Sequence, residues 1–148
     1  MSKNVLLAIL VALALIGLVD SWYLAQSAAT NTALVCDIDG LDGCNTVANS
    51  PYSRVFGVPL ADFGLAFYGI LLLASVAGFR LSSRRFFRGL LALAIVGALL
   101  SVYFVYVQFM LIEAVCIYCL VSAATSWLSL GVATILYRRQ PSLSTPPS

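Results

Sequence analysis

The sequence predicts an all-α integral membrane protein, a bundle of four helices in which a long loop joins the first two. Apolar residues make up 61% of the 148 residues and charged residues only 9%, a balance that excludes a soluble domain of this size. The apolar residues also form four runs of about 20 residues without proline, and each run is long enough to cross a hydrocarbon core about 30 Å thick as a helix. We therefore expect a single membrane domain over residues 1–148.

The four expected helices cover about residues 4–25, 60–79, 86–112 and 114–137. Residues 26–59 form the only sizeable polar segment, and they lack the apolar surface to fold without support. Residues 138–148 form a polar tail that we expect to be disordered.

The first run has a second interpretation, as a cleaved signal peptide. Lys3 supplies a charged start, and the small residues around Ala25 and Ser27 suit a signal peptidase. A retained helix is favoured, because the run exceeds the roughly 7 to 15 residues usual for a signal core.

The basic residues predict how the chain crosses the membrane. Seven of the eight precede the first run, connect the second to the third, or follow the fourth, which is one side of the membrane for four crossings. The positive-inside rule assigns that side and both termini to the cytoplasm, so the loop 26–59 lies outside. A net charge of +2 without an extended basic patch excludes nucleic acid as an expected partner. The seven basic residues on the cytoplasmic side are Lys3, Arg80, Arg84, Arg85, Arg88, Arg138 and Arg139.

Four cysteines carry the functional signal. Cys36 and Cys44 lie in the polar loop, and Cys116 and Cys119 open the fourth run, so all four face the outside, where thiols are not kept reduced. Cys116 and Cys119 share one face of a helix, since they are three residues apart. Cys116 falls in the first turn, where free amide N–H groups and the helix dipole favour a thiolate. The two pairs predict two disulfides that exchange, with Cys116 the more reactive cysteine of its pair.

Two other uses of the cysteines remain open. Both pairs can be structural disulfides in a non-enzymatic membrane subunit. A zinc site would need all four thiolates around one ion, and here one pair is spread over eight positions in an oxidising compartment. The chain has no histidine, and it has no glycine-rich dinucleotide fingerprint after a strand, so we expect no metal and no flavin.

The order and spacing of these motifs resemble the vitamin K epoxide reductases and their bacterial homologues, which pass electrons between thioredoxin-fold proteins and a membrane quinone. The resemblance spans most of the chain. It rests on the loop pair Cys36 and Cys44, on Ser50 six residues later, on the second-helix stretch Phe63-Gly64-Leu65-Ala66-Phe67-Tyr68, and on Cys116-Ile117-Tyr118-Cys119 at the start of the last helix.

The resemblance implies a thiol–quinone oxidoreductase in the inner (plasma) membrane, with its active site at the extracytoplasmic face. A reduced DsbA-like thioredoxin-fold partner attacks Cys36, the freed Cys44 attacks Cys116, and Cys119 leaves and faces ubiquinone or menaquinone. Gly40 is expected, with Gly43, to give the loop backbone freedom. The other expected partners are membrane lipid and the quinone pool.

Vitamin K epoxide reduction is an alternative activity for this chain. Two positions at which the chain differs from the animal epoxide reductases bear on it. Those enzymes carry an Asn before the Phe-Gly and a Tyr after the last cysteine, where this chain has Leu60 and Ala123. The departures favour quinone reduction over epoxide reduction. Quinone reductases of the DsbB type are a further alternative, but they place their C-x-x-C in the first outer loop.

Five further residues are candidates for the quinone pocket or for proton transfer. Ser50 can donate to a quinone oxygen or cap the short helix at Pro51. Phe63 and Phe67 can flank the quinone ring or only pack. Asp20 and Glu113 are possible proton relays, and Asp20 alternatively extends to the membrane interface.

Overall fold

The computed structural model describes residues 1–36 and 42–140, and four long helices dominate it. Each of the four is apolar enough and long enough to span a membrane, so the predicted set of membrane helices is confirmed. A short helix, a 3₁₀ turn and a two-stranded hairpin lie between the first two long helices. In chain order the elements are α1 (Lys3–Thr30), α2 (Cys44–Ala48), the 3₁₀ turn (Pro51–Ser53), β1 (Arg54–Val55), β2 (Val58–Pro59), α3 (Leu60–Ala77), α4 (Arg84–Val107) with a π-helical turn (Gln108–Ile112), and α5 (Ile117–Arg138).

Two helix boundaries differ from the prediction in ways that shape the site. α1 continues past residue 25 to Thr30 and ends at Asn31, which has a left-handed φ of 52°. α5 begins at Ile117 and not at 114, because Glu113 adopts a φ of 56° and Cys116 is extended. The predicted loop 26–59 is therefore shorter at its start and partly helical. The tail beyond residue 140 lies outside the described residues.

Close packing in the bundle core depends on small residues, as is usual for membrane helices. α1 packs against α3 and α5, and α4 packs against α5. A Cβ atom at Gly17 would lie only 2.2 Å from the Tyr68 ring, so glycine lets α1 and α3 approach there. The largest buried side chains of the core are Leu6, Leu7, Leu10, Tyr68, Leu71, Phe87, Leu90 and Leu136.

Seven of the eight basic residues lie toward one end of the bundle, and the cysteines lie at the other. Lys3 donates a hydrogen bond to Ser82 at 3.0 Å, and the Arg139 guanidinium donates to the Met1 carbonyl. The first residues, the α3–α4 connection and the end of α5 therefore meet. Cys116, which precedes α5, is at the opposite end.

Candidate active site

The loop that follows residue 41 pairs with the backbone in front of α5. Asp42 forms an antiparallel bridge with Cys116, and the Gly43 N–H donates to the Val115 carbonyl at 3.1 Å. A Cβ atom at Gly43 would lie 2.7 Å from the Val115 nitrogen, so this contact requires glycine. Gly43 has an ordinary φ of −73°, so its role is close approach and not the backbone freedom that we expected. Gly40 lies outside the described residues.

This pairing brings both cysteine pairs into one cluster. Cys36 and Cys44 form a disulfide, as predicted, with their Cα atoms 6.2 Å apart. Cys44 is 0% exposed and Cys116 1%, and both are packed with Leu34. Cys36 and Cys119 are partly buried at the edge of the same cluster. Of the loop pair, Cys36 is thus the more accessible residue, and Cys44 is buried in the cluster with Cys116.

Cys116 and Cys119 are thiols, and Cys116 occupies the N-cap of α5. The Cys119 N–H donates to the Cys116 sulfur at 3.4 Å. The pKa of Cys116 lies below its ordinary value because the Cys119 thiol hydrogen-bonds to it, and the amides of Cys119 and Tyr118 add to this. Burial and the charge of Asp20 oppose the shift. The direction of this shift favours the thiolate of Cys116, and its reactivity stays a prediction.

Gln108 fixes the backbone of Cys116, and the sequence analysis did not identify it. Its side-chain oxygen accepts a hydrogen bond from the Cys116 N–H at 2.9 Å, and the residue is 2% exposed. Its backbone carbonyl also accepts from the Ala114 N–H at 3.2 Å. An uncharged amide inside the apolar run 86–112 was the available signal, because a buried amide needs partners.

A cavity of about 470 Å³ lies beside the cysteines, within the size range of small-molecule sites. Cys44, Cys116 and Cys119 all line it. Leu60 and Ala123, which stand where the animal enzymes carry polar side chains, also line it. The three residues predicted for a quinone pocket, Ser50, Phe63 and Phe67, are part of the same wall.

These three residues differ in how firmly they are held. The Ser50 hydroxyl donates to the Val47 carbonyl at 2.7 Å and makes no side-chain cap for the 3₁₀ turn. Phe67 stacks edge-on against Tyr68 with ring centroids 4.9 Å apart, and a Cβ atom at Gly97 would lie 2.2 Å from its ring. Phe63 is 47% exposed. Phe67 is thus a rigid part of the wall, and Phe63 is at its open side.

Tyr68 closes another part of the cavity wall. Its hydroxyl lies 2.6 Å from the Ser122 carbonyl, 2.8 Å from the Thr125 hydroxyl and 2.9 Å from the Ser126 hydroxyl. These contacts tie α3 to α5 one turn beyond Cys119. The sequence analysis included Tyr68 in a motif without giving it a role.

Asp20 and Glu113, the two candidate proton relays, have different surroundings. Asp20 is 9% exposed, and its Oδ2 atom has no hydrogen-bond partner among residues 1–36 and 42–140. Glu113 is exposed at the turn between α4 and α5. Neither residue lines the cavity. Over the same described ranges, no group of three or more His, Cys, Asp or Glu is arranged to hold a metal ion.

The fold and the site define a multi-pass helical membrane protein in which a disulfide and a dithiol pack together beside an apolar cavity. The sequence matches the vitamin K epoxide reductase family over residues 8–134. The chain belongs to that family, which confirms the resemblance. The thiol-disulfide oxidoreductase LTO1 of Arabidopsis thaliana is 36% identical to it over 119 residues, covering 74% of this chain and 31% of that protein. The chain thus spans about a third of the length of this relative.

Proposed function

We propose that the chain is a thiol–quinone oxidoreductase that oxidises a DsbA-like thioredoxin-fold protein and reduces ubiquinone or menaquinone in the inner (plasma) membrane. The observation that carries the proposal is the packing of Cys44 against Cys116 beside a cavity that Cys119 also lines. Family membership and the similarity to a thiol-disulfide oxidoreductase support the reaction type. The basic residues at the other end of the bundle support an extracytoplasmic active site.

Electrons move by two disulfide exchanges. A thiolate of the reduced partner attacks Cys36, and Cys44 leaves as a thiolate that attacks Cys116 and displaces Cys119. The partner's second thiol then displaces Cys36, which attacks Cys44 and releases Cys116. The partner leaves with a disulfide, the loop disulfide is restored, and Cys116 and Cys119 hold the two electrons as a dithiol. The structure has this composition, a loop disulfide and a membrane dithiol.

Exposure of the sulfurs supports this order. Cys36 is partly buried, whereas Cys44 and Cys116 are almost completely inaccessible. A protein partner therefore has better access to Cys36, and Cys44 is already next to its target. The lowered pKa of Cys116 favours its thiolate, which is the form that closes a disulfide with Cys119.

The dithiol then returns to a disulfide as the quinone takes up two electrons and two protons. The apolar residues Leu60 and Ala123 suit a quinone ring and supply no side-chain donor to an epoxide oxygen. Ser50 can donate to a quinone oxygen once its hydroxyl turns away from Val47. A DsbA-type oxidant has a potential near −120 mV, so it needs a strong acceptor such as a quinone.

A quinone-coupled assay with the purified protein tests the proposal. Reduced DsbA-type protein and a short-chain ubiquinone or menaquinone are added, and loss of quinone absorbance is followed. Alanine at any of the four cysteines is expected to abolish turnover, whereas Thr134→Ala, at a residue that does not line the cavity, is the control. Wild-type rates in all four cysteine variants would mean that the cysteines are structural. Cys119→Ala is also expected to trap Cys116 with Cys44 and not with Cys36, as peptide mapping without reductant will show.

A further inference from the structure

We propose that Tyr23 and Tyr118, here named the tyrosine clamp, are positioning residues that hold the loop disulfide against Cys116. The inference rests on the proposed function. The clamp couples the exchange at the loop disulfide to the exchange at the Cys116–Cys119 pair. The clamp joins α1 and α5 to the backbone immediately before Cys36.

The clamp satisfies both backbone groups of one loop residue. The Tyr118 hydroxyl donates to the Val35 carbonyl at 2.6 Å, and the Val35 N–H donates to the Tyr23 hydroxyl at 3.2 Å. The two rings pack with centroids 5.1 Å apart. Each partner of Val35 thus belongs to a different membrane helix, and the two side chains support each other.

The Val35 side chain does not anchor this segment, because it is 68% exposed. Its neighbour Leu34 is held in a similar way by Asn45, whose amide accepts from the Leu34 N–H at 2.8 Å and donates to its carbonyl at 3.0 Å. Asn45 follows Cys44, so that contact ties the loop only to itself. Leu34 also packs against α1 and α5, and the tyrosines add the hydrogen bonds that hold the Val35 backbone to these two helices.

Tyr118 lies between the two cysteines of the Cys-Ile-Tyr-Cys motif. The turn that carries Cys116 and Cys119 therefore also holds the segment that carries Cys36. A small displacement of reacting atoms can slow a reaction about a hundredfold, so this link matters for the attack of Cys44 on Cys116. The tyrosines themselves take up no electron or proton in that step.

Removal of each clamp hydroxyl is the direct test. Tyr118→Phe and Tyr23→Phe retain the rings and delete one hydrogen bond each. Tyr106→Phe is the matched control, since Tyr106 is 56% exposed on α4. Fully oxidised protein is mixed with one equivalent of reduced DsbA-type protein, quenched with an alkylating agent, and assayed for the Cys116–Cys119 dithiol over time. Quinone reduction by the prereduced protein is measured separately.

We expect Tyr118→Phe to slow formation of the dithiol about three- to tenfold, as for the loss of one hydrogen bond, and Tyr23→Phe to slow it less. Quinone reduction by the prereduced variants is expected to stay at the wild-type rate, and Tyr106→Phe to leave both steps unchanged. Unchanged exchange in both clamp variants would overturn the inference, and so would equal slowing of both steps. Because the four cysteine variants test the relay itself, failure of the proposed function is distinguishable from failure of the clamp.

Discussion

The side-chain oxygen of Gln108 accepts the backbone N–H of Cys116 at 2.9 Å, so a buried amide on the π-helical turn after α4 fixes the residue that caps α5. The N–H group that it satisfies has little access to water, since Cys116 is 1% exposed. Cys116 is therefore held by the end of α4 through its backbone N–H and by α5 through its sulfur.

Substitution of Gln108 by leucine is expected to destabilise the protein and to misplace Cys116. The variant leaves a buried N–H without an acceptor, which costs about 1 to 3 kcal/mol in the free energy of unfolding. Denaturation in detergent and the quinone-coupled rate are the measurements. Thr134→Val is the control, because the Thr134 hydroxyl donates to the Leu130 carbonyl of its own helix. Equal stability of Gln108→Leu and wild type would argue against this role.

Gly43→Ala is expected to slow exchange between the two cysteine pairs about tenfold or more. The new Cβ atom would lie 2.7 Å from the Val115 nitrogen and 2.8 Å from the Ala114 Cβ, so the loop must move away from Cys116. Gly131→Ala is the matched control, since a Cβ atom there has nothing within 4 Å. The single-turnover assay for the Cys116–Cys119 dithiol compares the two. If both alanine variants exchange at the wild-type rate, the Gly43–Val115 contact does not position the loop.

Gly97→Ala is expected to weaken quinone binding by displacing Phe67. The added Cβ would lie 2.2 Å from the Phe67 ring, which forms part of the cavity wall. An overpacking cost of about 1 kcal/mol corresponds to about a fivefold rise in KM for the quinone. The KM for the thiol partner should not change. Gly89→Ala on the same helix has nothing within 4 Å and should resemble wild type. Parallel rises in both KM values would indicate a general distortion.

The pH dependence of the reduced protein is expected to report on Cys116. Its folded-state pKa lies below the ordinary thiol value, chiefly because of the Cys119 thiol. The stabilisation from the Cys116 thiolate is therefore fully present above the unfolded-state pKa, and it is lost as the pH falls through the folded-state pKa. Cys119→Ala should move the thiolate absorbance titration to higher pH. Cys119→Ser, which keeps a donor, should move it less. Identical titrations in all three proteins would contradict the assigned cause.

Asp20→Asn is expected to lower the rate of quinone reduction about tenfold or more, as for the loss of a group that supplies a proton to that step. The substitution preserves shape and removes the buried acid whose Oδ2 atom has no partner among the described residues. Glu113→Gln is the comparison. Glu113 is exposed, whereas Asp20 is buried and close enough for its charge to act on the Cys116 thiol, so Glu113→Gln should leave the rate unchanged. Quinone reduction by the prereduced protein is the measurement. The opposite result, a loss only in Glu113→Gln, would transfer the role to Glu113.

The helices were predictable because span length and hydropathy are local properties of the chain. The cysteine pairs were predictable because their spacing is also local. The start of α5 was not, since Cys116 is extended and pairs with the loop, and hydropathy does not distinguish an extended apolar residue from a helical one.

The other features of the site that the sequence did not predict depend on contacts between residues far apart in the chain. Tyr118 and Val35 are 83 residues apart, and nothing in either local pattern indicates that they meet. Gly43 was noticed as a glycine, but the expectation of backbone freedom was wrong because the reason for glycine is the nearby Val115 backbone. Such roles depend on the tertiary arrangement of the loop.

The length of α1 has a consequence for where the sulfur chemistry occurs. Its 28 residues extend about 42 Å, whereas the hydrocarbon region of a bilayer is about 30 Å thick. About two turns of rigid helix therefore stand beyond the lipid tails and carry the loop with them. A bilayer with its headgroup regions is about 40 to 45 Å thick, so these two turns lie at the level of the headgroups, and a shortened α1 would draw the disulfide toward the lipid tails.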